Sequence, residues 1–359
     1  MVSALGSAID GSGQLALATV VRTRGSTPRK KGARLLIDPV GGARGTVGGG
    51  CGEAEVFVRA QRVLATGVPE LVEVNLLEDE GWESSSICGG LLDVWVERFS
   101  AHKSEPFLSA ALASIEAGGA AVAATILATE EAGSVGARAV CPVQLGAEGK
   151  MEAPVSLVAP GCPFARKDLE EEFRGVLHES ALPAGHSGLM LVGAAGSRFW
   201  VESLMPRPEL VVVGAGHVGA ALARMASLAG FAVVVLEDRV AFAHPERLPG
   251  VDRILVGNPE ALLQELPPHP LRHIVLVTRG HRMDARCLAV AAELPAVYRG
   301  MIGSRRRVRR IREELTAAGV SAAALDALDA PIGLEIGAET PGEIAVAILA
   351  EIIARRAPA

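Results

Sequence analysis

The chain has 359 residues, a formal net charge of −6, 49% hydrophobic and 21% charged residues, a globular composition with apolar mass enough for two domains. Aromatic residues make up 3%, so stacking platforms for single strands are few, and the negative charge also speaks against nucleic acid as the main partner. Five cysteines without a C-x-x-C pair carry no zinc spacing; with no basic-then-apolar leader and no apolar run of ~20 residues, they point to a cytoplasmic protein without a membrane span.

Residues 15–21 (LALATVV) read as an apolar strand, 22–32 as a basic loop and 34–38 as a second strand that ends at Pro39. The stretch 41–53 holds seven glycines in thirteen positions and closes on Cys51 and Glu53. A helical pattern follows at Ala54, Phe57, Val58, Gln61, Val63 and Leu64. A glycine-rich loop feeding a helix N-terminus attracts anions and lowers the pKa of a nearby thiol, so Cys51 is expected to be thiolate-prone. Glu53 falls in the first turn, where an acid is favoured. Cys88 stands in a second small-residue loop, ahead of the alternating strand 91–97 (LLDVWVE). Cys51, Glu53 and Cys88 are the candidate chemical residues of this half. Cys141, Cys162 and Cys287 lie in apolar, helical or proline-flanked contexts and read as structural.

A helix at 106–116, a strand at 120–128, an acidic helix at 168–178 and a hairpin of 188–194 with 198–204 complete the first domain. Their mixed order predicts an α+β domain over 1–207. Pro206-Arg207-Pro208 is a stiff linker into a second domain over 208–359.

The second domain opens on Leu210-Val211-Val212-Val213, a buried parallel strand, and then Gly214-Ala215-Gly216-His217-Val218-Gly219. This is G-x-G-x-x-G: Gly214 for the tight turn, Gly216 for close approach of a diphosphate, Gly219 for close helix packing. Val218, Leu222, Met225 and Ala229 share one helical face, and Gly230 suits the helix end. Strand 232–236 follows and ends in Glu237-Asp238, where a ribose hydroxyl would be held about 20 residues past the glycines. His217 contacts either ligand or backbone. Arg239 meets either a phosphate or a neighbouring acid. The order predicts a Rossmann-like, doubly wound parallel sheet, an α/β fold.

Further strands at 254–256 and 273–278 lead to the loop carrying His281 and Asp284, which leaves the carboxyl edge beside the Gly214 turn. Tyr298 starts another strand-to-loop passage through Gly303 to Ser304, a helix N-cap. The helix beyond has six arginines in eight positions, 305–312, of which Arg305 in the first turn is the candidate ligand contact. Thr340 with Glu343 makes a capping box and Pro341 takes the first helical position, which leaves Glu335 and Glu339 free for a site.

Together GSTPRKKGARLLID, GTVGGGCGEAEV, ICGGLLDVWVE, VVVGAGHVGAALA, LEDRVAFAHPERLPG, VTRGHRMD, YRGMIGSRRR and PIGLEIGAETPGEIAVAILAEIIA resemble the XdhC/CoxI family of accessory proteins. The likeness covers both ends of the chain and leaves about 100–205 unmatched. The chain departs from the family pattern at Gly52, in place of a branched apolar residue, and at Gly342, in place of an acid. Arg299 replaces an aliphatic residue and adds charge beside the expected site. The resemblance implies an accessory or maturation factor rather than a free-standing catalyst. It would act as a chaperone that binds the molybdenum cofactor (molybdopterin or its dinucleotide form) and inserts it into a molybdenum hydroxylase apoenzyme such as xanthine dehydrogenase or carbon monoxide dehydrogenase, with a cysteine desulfurase as a further partner. A homodimer is the commonest arrangement for such a chain. A competing reading, carried by 214–238 alone, is an NAD(P)-dependent oxidoreductase.

Overall fold

The computed structural model describes residues 13–40, 42–76, 90–130, 132–145, 171–172, 175–176, 188–193 and 196–356. The chain divides into two compact units at Met205/Pro206.

In the first unit, β1 (Gln14–Gly25), β2 (Arg34–Ile37) and β3 (Ala43–Gly45) are followed by helix α1 (Gly50–Thr66), then β4 (Glu70–Asn75) and β5 (Gly90–Ser100). These strands form an antiparallel sheet in the order β3-β2-β1-β5-β4. Helix α2 (Ala101–Glu116) leads to β6 (Ala120–Ala128), β7 (Arg138–Val143), β8 (Leu189–Val192) and β9 (Arg198–Leu204), a second antiparallel sheet ordered β7-β6-β9-β8. The run LALATVV lacks alternation because both faces of β1 are covered. Ala16, Ala18 and Val20 pack under α1 with Val56, Ala60 and Val63. Leu15 and Leu17 join Phe99, Phe107 and Leu108, together with Ala121 and Ala123 of the second sheet.

The antiparallel sheets with two helices make the α+β domain that the sequence predicts. The helix after the glycine loop starts at Gly50 rather than near Ala54, so Cys51 lies inside its first turn. The helix expected from residue 106 starts at Ala101. Strand β4 was not anticipated, although its alternating ELVEVN was legible. Of the acidic helix expected over 168–178, the four described positions are helical.

The second unit holds β10 (Glu209–Val213), α3 (His217–Leu228), β11 (Ala232–Glu237), β12 (Arg253–Val256), α4 (Pro259–Gln264), β13 (Arg272–Leu276), α5 (His281–Glu293), β14 (Tyr298–Met301), α6 (Arg305–Ala317), α7 (Ala322–Asp326) and α8 (Pro341–Arg356). The sheet is wholly parallel, ordered β12-β11-β10-β13-β14. Leu210, Val212, Val233 and Val235 face α3 and α8, while Val211, Val213, Val234 and Leu236 face α5 and α6. This is the doubly wound fold, and its strand order reverses between β10 and β13, where such folds open a crevice. At the opposite end Arg272 and Glu209 form a buried ion pair at 2.6 Å across the same two strands.

Two glycines of the motif are fixed by packing. Gly214 has φ +107°, and a Cβ there would stand 2.8 Å from the carbonyl of Val277. A Cβ on Gly219 would reach 1.9 Å from the carbonyl of Gly214, whereas one on Gly216 would meet nothing within 4 Å. Gly219→Ala should therefore destabilise the protein by roughly 2–3 kcal/mol in urea unfolding, an overpacking cost, and Gly216→Ala by under about 1 kcal/mol. Equal losses at the two positions would show that packing does not distinguish them.

Candidate functional site

The end of β10, the turn after it and the start of α3 are tied to the end of β11 by one side chain. Glu237 is 1% exposed, and its Oε2 accepts the Ala215 amide at 2.6 Å. Its Oε1 accepts from the backbone of Arg239 at 3.1 Å and from Nε of Arg239 at 2.8 Å. The Arg239 guanidinium donates to Oε2 as well, at 2.9 Å, and lies 3.6 Å above the Phe242 ring. Burial pushes the Glu237 carboxyl up, but the hydrogen bonds from Arg239, Asp238 and Ala215 outweigh it and hold it at about 2. Asp238 moves the other way, raised first by its hydrogen bond to Glu237 and then by burial. The carboxylate expected on a ribose hydroxyl is thus engaged at both oxygens. Arg239 pairs with that acid, the second of the alternatives its position allowed. Asp238, 46% exposed at its side chain, is the carboxylate that faces outward.

Gly214, Glu237, Asp238 and Arg239 line a cleft with Thr278 and Arg279 from the end of β13. It encloses about 30 Å³, room for a water molecule. Asp284 is fully buried beneath that loop, in the first turn of α5. It accepts from the Thr278 hydroxyl and from the Arg307 guanidinium. Its role is to pin the loop after β13 to α6. Thr278, Arg279 and Arg307 were missed by the sequence reading. A signal for Arg307 existed, because it stands one turn before Ile311 and so borders the buried stripe of Val308, Ile311 and Leu315.

Several expected site residues lie elsewhere. Tyr298 is 4% exposed in the core, and its hydroxyl donates to Glu351. Gly303 precedes Ser304, which caps α6 by accepting from the Arg307 amide at 3.3 Å. Arg305 makes an exposed 2.6 Å pair with Glu335 and lines a separate open groove of about 810 Å³ with Arg309, Arg312 and Pro331. Glu339 is exposed, and its amide joins that of Thr340 on the Glu343 carboxylate, both at 2.9 Å. His217, the first residue of α3, is exposed. His281 is the first residue of α5, and its side chain lies outside the described residues. Arg299 adds no charge to the cleft: it donates to the carbonyls of Ala291 and Leu294 at the C-terminal end of α5. There its positive charge meets the negative end of the helix dipole.

The first unit repeats the carboxylate device. Oε1 of Glu53 accepts the Val47 amide at 3.1 Å, the Gly49 amide at 3.0 Å and the Thr46 hydroxyl, and that hydroxyl accepts the Gly48 amide at 3.1 Å. The Thr46 hydrogen bond and the backbone amides of Gly49 and Val47 hold the Glu53 carboxyl below the usual glutamate range, against burial. The glycine loop was expected to attract an outside anion. Its amides instead hold the protein's own. Gly49 and Gly50 take φ of +78° and +63°, which brings the chain round into α1.

The Cys51 side chain and all of Cys88 lie outside the described residues, as does Cys162. A Cβ on Gly52 would stand 3.1 Å from Leu76, whose amide donates to the carbonyl of Gly90. Cys141 and Cys287 are buried and in no disulfide, and burial pushes the Cys287 thiol up to about 12.

Among known proteins, the profile of the XdhC Rossmann domain matches residues 210–352, and that of the XdhC and CoxI family matches residues 8–75. The chain belongs to the XdhC and CoxI family. A probable xanthine dehydrogenase subunit from Bacillus subtilis is 26% identical over 95% of this chain and 92% of its own. A crystal structure of a xanthine dehydrogenase from Bacillus halodurans superposes with a TM-score of 0.75 at 25% identity, covering 99% of this chain and 95% of that one. The uncharacterized protein YqeB of Escherichia coli is 36% identical over 41% of this chain, a stretch that is 27% of the longer relative. Among the described residues of this family member, no helix is long and apolar enough to cross a membrane.

Two outcomes follow from the carboxylates. The Glu237 carboxyl sits at about 2 against an ordinary 4.5, so its stabilisation is complete above about pH 4.5 and is lost as pH falls through 2. Glu237→Gln should cost roughly 3 kcal/mol at pH 7 and clearly less at pH 3 in urea unfolding; a gap unchanged by pH would show that the charge does not hold the turn. Glu53→Gln should speed amide exchange at Val47 and Gly49 by about tenfold or more, with the α1 core amides unchanged. Unaltered exchange at both would remove Glu53 as the anchor of the loop.

Proposed function

We propose that the protein is an accessory factor of a xanthine dehydrogenase-type molybdenum hydroxylase, binding the molybdenum cofactor and delivering it to that enzyme. Family membership supports the accessory role. The observation that carries the binding role is the turn at Gly214–Gly216. Helix α3 starts there, at the point where the strand order reverses, and Gly216 opens on free space. The amides of a helix's first turn have no intrahelical acceptor and carry the positive end of the dipole, so they suit a phosphate.

The residues present fit such a group. The first-turn amides of α3 would hold the pterin phosphate, or the diphosphate of the dinucleotide form. Asp238, outward-facing where Glu237 is not, would take a ribose hydroxyl. When bound, the group supplies the molybdenum centre that the recipient enzyme needs. The chain's own part is to grip the phosphate end and release it to the recipient. A cysteine desulfurase as sulfur donor belongs to the same reading.

The test uses full-length protein and isolated molybdenum cofactor, with bound molybdenum and pterin measured after gel filtration. Wild type should retain the cofactor. Gly216→Val should weaken retention at least tenfold, since the added side chain fills the space in front of the turn. Absence of binding by wild type would sink the proposal, and binding of NAD⁺ or NADP⁺ in its place would favour the oxidoreductase reading.

A further inference from the structure

The open groove of about 810 Å³ beside α6 is separate from the cleft at Gly214. One wall is α6 itself. Arg305, Arg309, Arg312 and Thr316 recur at i, i+4, i+7 and i+11, a single helical stripe, and all four line the groove. Val308 and Ala317 add apolar surface between them, and Ala330 with Pro331 forms the opposite wall. Main-chain bonds hold that wall in place. The Met301 amide donates to the Asp329 carbonyl at 3.0 Å, the Asp329 amide to the Arg299 carbonyl at 2.9 Å and the Ile332 amide to the Met301 carbonyl at 3.1 Å. The segment is thus laid along β14, with Gly300 and Asp329 bridged in parallel. Helix α6 is held by its buried stripe of Val308, Ile311 and Leu315. Both walls are set by the fold before anything enters. From position 305 to 317 the helix advances about 18 Å, the length of an extended segment of roughly five or six residues.

We propose that this groove binds an acidic peptide segment of a partner protein, with carboxylates on Arg305, Arg309 and Arg312 and small apolar side chains on Val308, Ala317 and Pro331. The argument is charge complementarity. Arg309 is exposed and has no ion-pair or hydrogen-bond partner among the described residues. Arg305 meets Glu335 in a pair exposed at 80% and 87%, which water screens and a better-placed acid displaces. Arg312 donates to the Leu328 carbonyl at 3.1 Å, which fixes its guanidinium at the wall. A guanidinium takes a carboxylate through two parallel hydrogen bonds. Alternate side chains of an extended segment stand about 6.6 Å apart, close to the roughly 6 Å that the helix advances from Arg305 to Arg309. A compact polyphosphate needs its cations gathered round one point, whereas these are strung along the helix, and Glu313 on the same groove would repel it. Nucleic acid meets that acid too and finds no aromatic platform among the lining residues. Cations alternating with apolar patches match a peptide, whose side chains alternate in the same way.

The test is fluorescence anisotropy with the full chain and labelled short peptides of Glu, Ala and Leu that vary the number and spacing of Glu, beside counterparts with Gln for every Glu. Wild type should bind the best Glu peptide with a micromolar Kd at low salt, and about tenfold more weakly at high salt or with Gln in place of Glu. Arg309→Glu should weaken binding by about tenfold or more, because it sets like charges together in the groove. Arg306→Glu makes the same change of charge on the same helix, at an exposed residue that does not line the groove. It should alter the Kd by less than about threefold. Both arginines are exposed, so far-UV circular dichroism should be unchanged in either variant. Equal losses in the two variants would make the attraction a property of the whole basic helix and overturn the groove as the site. Failure of every Glu peptide to bind would overturn the proposal, as would tighter binding of inorganic tripolyphosphate than of any peptide.

Discussion

The hydrogen bond from the Ala215 amide to Glu237 decides the geometry at the carboxyl edge of the second unit's sheet. A parallel sheet leaves the loops at its carboxyl edge without ladder partners, so something else must fix the turn that follows β10. Here it is a buried carboxylate from the neighbouring strand. A buried charge is costly unless it is paired and hydrogen-bonded. Glu237 meets that condition through the guanidinium and amide of Arg239 and the amide of Ala215, and Arg239 in turn rests on Phe242. The turn, the entry of α3 and the position of Arg239 therefore stand or fall together.

Glu53 solves the same problem differently. Its loop has consecutive amides with no strand partner, and glycines at 48–50 let them converge. A side chain from the helix that the loop feeds supplies the acceptor. In both units an internal anion organises a glycine turn, and this limits what an external one can use. In the first unit the loop amides of Val47 and Gly49 are already taken. In the second, Ala215 is taken, while the first-turn amides of α3 and the open side of Gly216 remain.

Charge on α6 follows a similar economy. Of its six arginines, Arg307 reaches the buried Asp284, Arg305 pairs with Glu335 and Arg310 with Glu314, and Arg312 donates to the Leu328 carbonyl. What reads as one basic cluster is divided among a loop anchor, surface pairs and a contact to backbone. The separation explains why the open groove beside Arg305 is distinct from the cleft at Gly214.

Local features were legible in the sequence because their causes lie within a few residues. The glycine pattern at 214–219, the Ser304 cap, the Thr340–Glu343 capping box and the apolar stripe of α6 need only backbone geometry and helical period. The strand run at 210–213 with the order of the later strands was enough to specify a doubly wound sheet. Tertiary structure decided where the charged and hydroxyl groups are used. Glu237 could have faced a ribose, yet Ala215 and Arg239 claim both its oxygens. Arg299 could have faced the cleft, but the end of α5 lies within its reach and offers two carbonyls. Tyr298 is held in the core by Glu351, a partner fifty-three positions away. Hydrophobic period and turn chemistry are local and can be read along a chain. The partner of a polar side chain is set by which distant strand or helix end packs beside it.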